Sequence, residues 1–91
     1  MADELNPQLI VFHTGGTVVS EIEEVGADIG EPDCKLINPY NIVPQPNGNA
    51  TLQPLMGELT NQKEFMISSD KILTICEPLG KIKDTYESLN S

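Results

Sequence analysis

The sequence has 91 residues, of which 14 are acidic and 5 are basic, so its formal net charge is −9. This length allows one domain, and a hydrophobic fraction of 38 % is ordinary for a folded globular protein. All five basic residues are lysines. The absence of arginine and the negative charge argue against a protein that mainly grips nucleic acid, and no DNA partner is expected.

Strand signals dominate the first half of the sequence. Residues 8–14 are rich in Ile, Val and Phe, and residues 17–25 carry three valines and an isoleucine. Gly15 and Gly16 separate the two runs, and two glycines between two such runs are typical of a β-hairpin turn. The acidic residues 21–33, with two glycines and a proline among them, indicate a solvated connection after the second strand.

Three further strands are predicted along the rest of the chain. Residues 34–43 form the third, and Pro39 predicts a bend, a bulge or an edge position because proline cannot donate to the ladder. Residues 51–59 and 64–67 form the fourth, bent or broken around residues 57–63. A polar turn at residues 68–71 leads into the fifth, residues 72–76.

The end of the sequence has helical periodicity. Ile82, Tyr86 and Leu89 recur at the spacing of one apolar helix face, which predicts a short helix over residues 80–90. The fold prediction is therefore mainly β. We expect a single domain over residues 1–91, with a small, five-stranded, strongly bent antiparallel sheet or barrel over residues 8–77 and a C-terminal helix. Such a sheet leaves open edges that must be protected or used.

The two cysteines, Cys34 and Cys76, are expected to be reduced in a cytoplasmic protein. Residues 1–7 are acidic and polar and lack the features of a secretory signal. The longest purely apolar run, residues 9–12, is far too short to cross a membrane as a helix, so no membrane partner is expected.

No pattern of catalytic or metal-ligating residues is convincing, so we predict a protein that is not an enzyme and needs no cofactor. His13 is the single histidine, and Thr14 beside it points to the opposite face if both lie in a strand. Neither His13 with the two cysteines nor the acidic residues of the connection has the spacing of a zinc or calcium site.

Two segments resemble motifs of the Sm-like family. Residues 12–22 (FHTGGTVVSEI) have an apolar residue, Gly15, the small Ser20 and the apolar Ile22 at the spacing of the family's first motif. Residues 65–75 (FMISSDKILTI) resemble the second motif, in which an apolar strand, a four-residue turn and a short apolar strand follow one another. The resemblance extends over about residues 8–77. Within the family, the sequence is most similar in character to the compact Sm-like proteins of bacteria and phages. This resemblance implies an SH3-type barrel.

The resemblance implies a homo-oligomeric ring of about five to seven chains that acts as a scaffold or binding platform. The alternative is an RNA-binding ring with a riboregulatory or RNA-processing role, which the net charge and the missing arginine disfavour. In the family, part of the RNA site is an Arg-bearing turn before the last strand. By that resemblance the candidate RNA contacts are Ser68, Ser69, Asp70 and Lys71. The predicted oligomer interface consists of Phe65, Met66, Ile67, Ile72, Leu73, Thr74 and Ile75.

Overall fold

The mainly β prediction and the C-terminal helix are confirmed. A computed structural model describes residues 6–57 and 59–90. Of these residues, 45 % lie in strands and 15 % in helices. Among the described residues, no helix is long and apolar enough to span a membrane. The elements are β1 (Gln8–Phe12), β2 (Thr17–Glu24), β3 (Cys34–Pro44), β4 (Ala50–Pro54), β5 (Glu64–Ile67), a 3₁₀ turn (Ser69–Lys71), β6 (Ile72–Cys76) and α1 (Gly80–Leu89).

The strands form one antiparallel sheet in the order β4-β3-β2-β1-β6, and β5 also pairs with β3. The predicted fourth strand is two strands, β4 and β5, so the sheet has six strands rather than five. A turn that includes Gly57, at φ +59°, follows β4 and separates it from β5. Among the described residues no ladder joins β5 to β6, so the sheet is bent but not closed into a barrel.

β3 is the strand that bends the sheet. Its first half pairs with β5 and its second half with β4, both on the edge opposite β2. Between the halves Asn38 adopts a left-handed conformation with φ +53°, and its N–H donates to the Lys63 carbonyl at 2.7 Å. The irregularity expected at Pro39 is therefore present, because Asn38 and Pro39 together lie opposite the single residue Ser20 of β2.

The first hairpin has a longer connection than the predicted Gly15-Gly16 turn. β1 ends at Phe12 rather than at residue 14, and four residues, 13–16, connect it to β2. The Phe12 N–H donates to the Gly16 carbonyl, and the Gly15 N–H donates to the Phe12 carbonyl, both at 2.9 Å. Gly15 has φ +97°, which a residue with a Cβ rarely adopts, so this glycine allows the chain to reverse.

The core lies on both faces of the central strands. Ile10 and Val18 are directly paired between β1 and β2 and are buried on one face. Val19 is buried on the other face, where its partner in β3 is Tyr40. Two consecutive valines can both be buried here because α1 covers the second face: its Tyr86 ring meets the Tyr40 ring edge-on, with centroids 5.8 Å apart.

Tyr86 holds α1 on the sheet at a bulge. The β2–β3 register shifts between Val19 and Glu21, next to Ser20. The Tyr86 hydroxyl donates to the Ile37 carbonyl at 2.9 Å and accepts the Glu21 N–H at 3.3 Å. Of the predicted helix face, Tyr86 is fully buried, whereas Ile82 is half-buried and Leu89 is 49 % exposed. The apolar stripe of the helix is therefore narrower than its periodicity suggests.

Candidate functional site

The residues predicted to form the oligomer interface and the RNA contacts lie in one continuous segment, β5, the 3₁₀ turn and β6. The turn holds its shape through the Lys71 N–H, which donates to the Ser68 carbonyl at 3.1 Å. The Lys71 carbonyl in turn accepts the His13 N–H at 3.0 Å, which ties the turn to the β1–β2 connection. The structure thus places His13 beside this segment through its backbone.

Asp33 fixes the turn from the opposite side. Its carboxylate accepts the Ser69 N–H and the Ser69 hydroxyl, both at 2.7 Å, while its own N–H donates to the Ile67 carbonyl at 3.1 Å. The Ser69 hydroxyl bond, followed by the Ser69 N–H bond, lowers the pKa of Asp33 below its usual 3.8. No periodic pattern in the sequence links Asp33 to a turn 36 residues away, so sequence reasoning missed this contact.

The side chains of β5 alternate between the interior and the solvent. Phe65 pairs with the fully buried Leu36 and is half-buried, whereas Met66 pairs with Lys35 on the other face and is 49 % exposed. On that outer face the Lys35 ammonium lies 3.7 Å from the Glu64 carboxylate and 3.9 Å from the Glu23 carboxylate. The interior side of β5 is therefore apolar, and its outer side combines an exposed methionine with a small ion-pair network.

β6 is the most exposed apolar strand of the described chain. It pairs with β1 on one edge, and among the described residues no strand pairs with its other edge. Leu73 is 61 % exposed and Ile75 is 45 % exposed. The β1–β6 register shifts between Val11 and Phe12. The unpaired edge offers backbone N–H and C=O groups and carries no charged side chain.

A cleft of about 460 Å³ lies between β6 and the paired ends of β2 and β3. Cys34 lies in its wall, and burial raises the pKa of the Cys34 thiol above its usual value. Both cysteines are free, Cys34 buried and Cys76 exposed on β6. The residues that line the cleft are Ile22, Glu24, Cys34, Ser69, Ile72, Thr74 and Ile75.

The metal candidates of the sequence are not brought together. Within residues 6–57 and 59–90, no three His, Cys, Asp or Glu side chains are arranged to hold a metal ion. In the acidic connection the Asp28 N–H donates to the Glu31 carboxylate at 3.1 Å, and the Glu31 N–H donates to the Asp28 carbonyl at 3.0 Å. The Glu31 carboxylate thus caps a local turn, to which Asp28 contributes its backbone groups.

The most prominent feature of this part of the molecule is thus a pair of strands with free edges beside an apolar cleft. A family model matches residues 6–91, which is nearly the whole chain. The chain belongs to the DUF6561 family, a family of unknown function. No curated protein is significantly similar to it.

Proposed function

We propose that this protein is a non-enzymatic scaffold that assembles into a homo-oligomeric ring by adding β5 of one copy to β6 of the next. The observation that carries the proposal is the pair of unpaired edges: β5 pairs only with β3, and β6 only with β1, within the described residues. Soluble proteins protect the edges of their sheets or use them for pairing. Here the segment carries exposed Met66, Leu73 and Ile75, which favours use.

The two edges differ, so the contact between copies is head-to-tail. A head-to-tail contact closes into a ring when the rotation between neighbours allows it. The resemblance of residues 12–22 and 65–75 to the Sm-like motifs supports the same pairing, and it suggests about five to seven copies. In such a ring each copy presents identical loops to a partner, which suits a binding platform.

The energy of one junction favours assembly despite the charge of the subunits. Each backbone hydrogen bond contributes about 0.5–1.5 kcal/mol net, and each large apolar side chain that becomes buried contributes about 1.5–3 kcal/mol. The opposing repulsion arises from a net charge of −9 on each copy. Salt screens it over about 10 Å at 0.1 M, and hydrophobic burial is unaffected by this screening. Assembly is therefore expected to strengthen as salt is added.

A cytoplasmic location is part of the proposal. Cys76 is a free thiol exposed on β6. Exposed free thiols persist in reducing compartments, whereas oxidising ones favour disulfides.

Light scattering at micromolar concentration tests the assembly. We expect the wild-type protein to have the mass of about five to seven chains of 9.9 kDa each. Leu73→Lys should give monomers, because it places a charge on the free edge of β6 where Leu73 is 61 % exposed. Leu79→Lys is the matched control, since Leu79 is 71 % exposed but lies outside β6. A wild-type protein that is monomeric at all salt concentrations contradicts the proposal.

A further inference from the structure

The cleft lies beside β6, the strand to whose free edge a neighbouring copy would add its β5. Three of its lining residues, Ile72, Thr74 and Ile75, belong to β6, and none belongs to β5 of the same chain. The walls from β2 and β3 contribute Ile22 and the buried Cys34. A strand that a neighbouring copy adds to the free edge of β6 would therefore lie directly beside this apolar cleft.

The alternation along β5 indicates which side chain is available to fill it. Phe65 and Ile67 are half-buried and face the interior of their own chain, where Phe65 pairs with Leu36. Met66 points to the opposite face and is 49 % exposed. Its neighbour on that face, Glu64, is held by Lys35 at 3.7 Å, so the methionine is the apolar side chain that β5 can offer.

We propose that Met66 of one copy seats in the cleft of the next copy, so that this apolar site is complete only in the assembly. The inference rests on the ring proposed above. A second copy is favoured as the occupant because the same chain supplies both the apolar cleft and an exposed apolar side chain on a free edge. Methionine is unbranched and flexible and fills irregular apolar spaces. A cleft of about 460 Å³ has room for it.

Cys34 provides a native reporter inside the cleft. In a Cys76→Ser background, Met66→Cys should form a disulfide with Cys34 of the neighbouring copy when oxidised glutathione is added. In that reaction the two protein thiols lose two electrons and two protons to glutathione disulfide, which becomes two glutathione thiols. Cys34 and position 66 lie on opposite faces of the paired strands β3 and β5, so they cannot be bridged within one chain. We expect a ladder of covalent oligomers on a non-reducing gel.

Leu89→Cys in the same background is the matched control, because Leu89 is also 49 % exposed but lies in α1. It should give no ladder, and a ladder of equal strength would overturn the inference. Light scattering on the reduced proteins separates the two proposals. Oligomers that do not cross-link through position 66 overturn the seating of Met66 and leave the ring intact, whereas a monomeric wild-type protein overturns the ring.

Met66→Ala gives an independent measurement that needs no disulfide. Removing the side chain from an apolar site should raise the dissociation constant of the assembly about tenfold. The substitution lies on an exposed face of β5 and leaves the interior residues in place, so the chain should still fold. An unchanged dissociation constant contradicts the inference.

Discussion

Tyr86 is the residue on which the docking of the C-terminal helix depends. Its ring is fully buried against Tyr40, and its hydroxyl is hydrogen-bonded to the Ile37 carbonyl and the Glu21 N–H at the β2–β3 bulge. Burial raises the pKa of Tyr86 to about 12, because the phenolate would lose its hydration in this environment. The same residue thus supplies apolar packing and satisfies two backbone groups.

The raised pKa of Tyr86 predicts a loss of stability in alkali. In the unfolded chain the phenol ionises near pH 10, whereas in the folded chain it stays protonated to about pH 12. The free energy of unfolding should therefore fall as the pH rises from about 10 to about 12. Tyr86→Phe should not show this alkaline fall in the free energy of unfolding. At neutral pH the substitution should lower that free energy by about 1–2 kcal/mol, because the hydrogen bonds of the Tyr86 hydroxyl are lost.

Urea unfolding at a series of pH values measures both effects. Tyr40→Phe is the control, because within the described chain the Tyr40 hydroxyl forms no hydrogen bond and its ring contact is retained. The prediction is wrong if Tyr86→Phe and wild type lose the same free energy between pH 10 and pH 12.

The hydrogen bonds from Ser69 shift the pKa of one carboxyl group, that of Asp33, and this shift can be measured. The Ser69 hydroxyl and N–H lower the pKa of Asp33 below 3.8, so the folded state gains stability above that pH and loses it as the pH falls through the lowered pKa. Ser69→Ala should raise the pKa of Asp33 and weaken the acid dependence of unfolding. A carboxyl-detected NMR titration measures it. Ser68→Ala, which removes the adjacent hydroxyl, should leave the pKa of Asp33 where it is.

At the scale of the elements, the bend of β3 organises the sheet. The strand can pair with both β5 and β4 on the same edge because its direction changes at Asn38, whose φ is +53°. Asparagine tolerates this left-handed conformation better than most residues that carry a Cβ, and a β-branched residue tolerates it poorly.

Asn38→Val should therefore destabilise the protein by about 1–2 kcal/mol, the cost of a left-handed conformation for an ordinary L-residue. Asn38→Gly should be neutral or nearly so, because glycine adopts positive φ without that steric cost. The midpoint of urea denaturation, compared at an unchanged slope, distinguishes the two variants. Equal midpoints for the valine variant and wild type would show that β3 can bend without this conformation.

Local patterns predict the elements better than they predict how the elements pair. The apolar runs of β1, β2, β3 and β6 and the periodicity around Tyr86 depend on residues close in sequence, and these predictions agree with the structure. The division of the predicted fourth strand into β4 and β5 does not follow from local propensity. It depends on the pairing of both segments with the same edge of β3, and this pairing joins residues that are distant in the sequence.

The candidate site shows the same division. The sequence predicts that residues 65–75 form two apolar strands around a polar turn, which the structure contains. The Asp33–Ser69 contact and the cleft could not be predicted, because each joins residues from segments far apart in the chain. Such contacts become visible only when the strand register is known.

At the scale of the whole molecule, charge separates the scaffold from the RNA-binding alternative. The net charge is −9, and each copy added to a ring adds the same charge. Lys35 is already paired with Glu23 and Glu64. The exposed lysines outside this network are Lys63, Lys71, Lys81 and Lys83. Lys71 stands in the turn that the Sm-like resemblance assigns to RNA, but Asp70 precedes it and Asp33 is bonded to the same turn.

The protein should therefore bind single-stranded RNA weakly or not at all at about 0.15 M salt. Phosphate contacts need cationic side chains, and base stacking or gripping at this turn would need the arginine that it lacks. Titration of labelled oligo(U) and oligo(A) at low and moderate salt measures this directly. Weak binding at low salt that disappears as salt is added agrees with a nonspecific contact of the lysines. Sub-micromolar binding at about 0.15 M salt would establish the RNA-binding ring instead, provided that Lys71→Ala weakens it and the control Lys81→Ala does not.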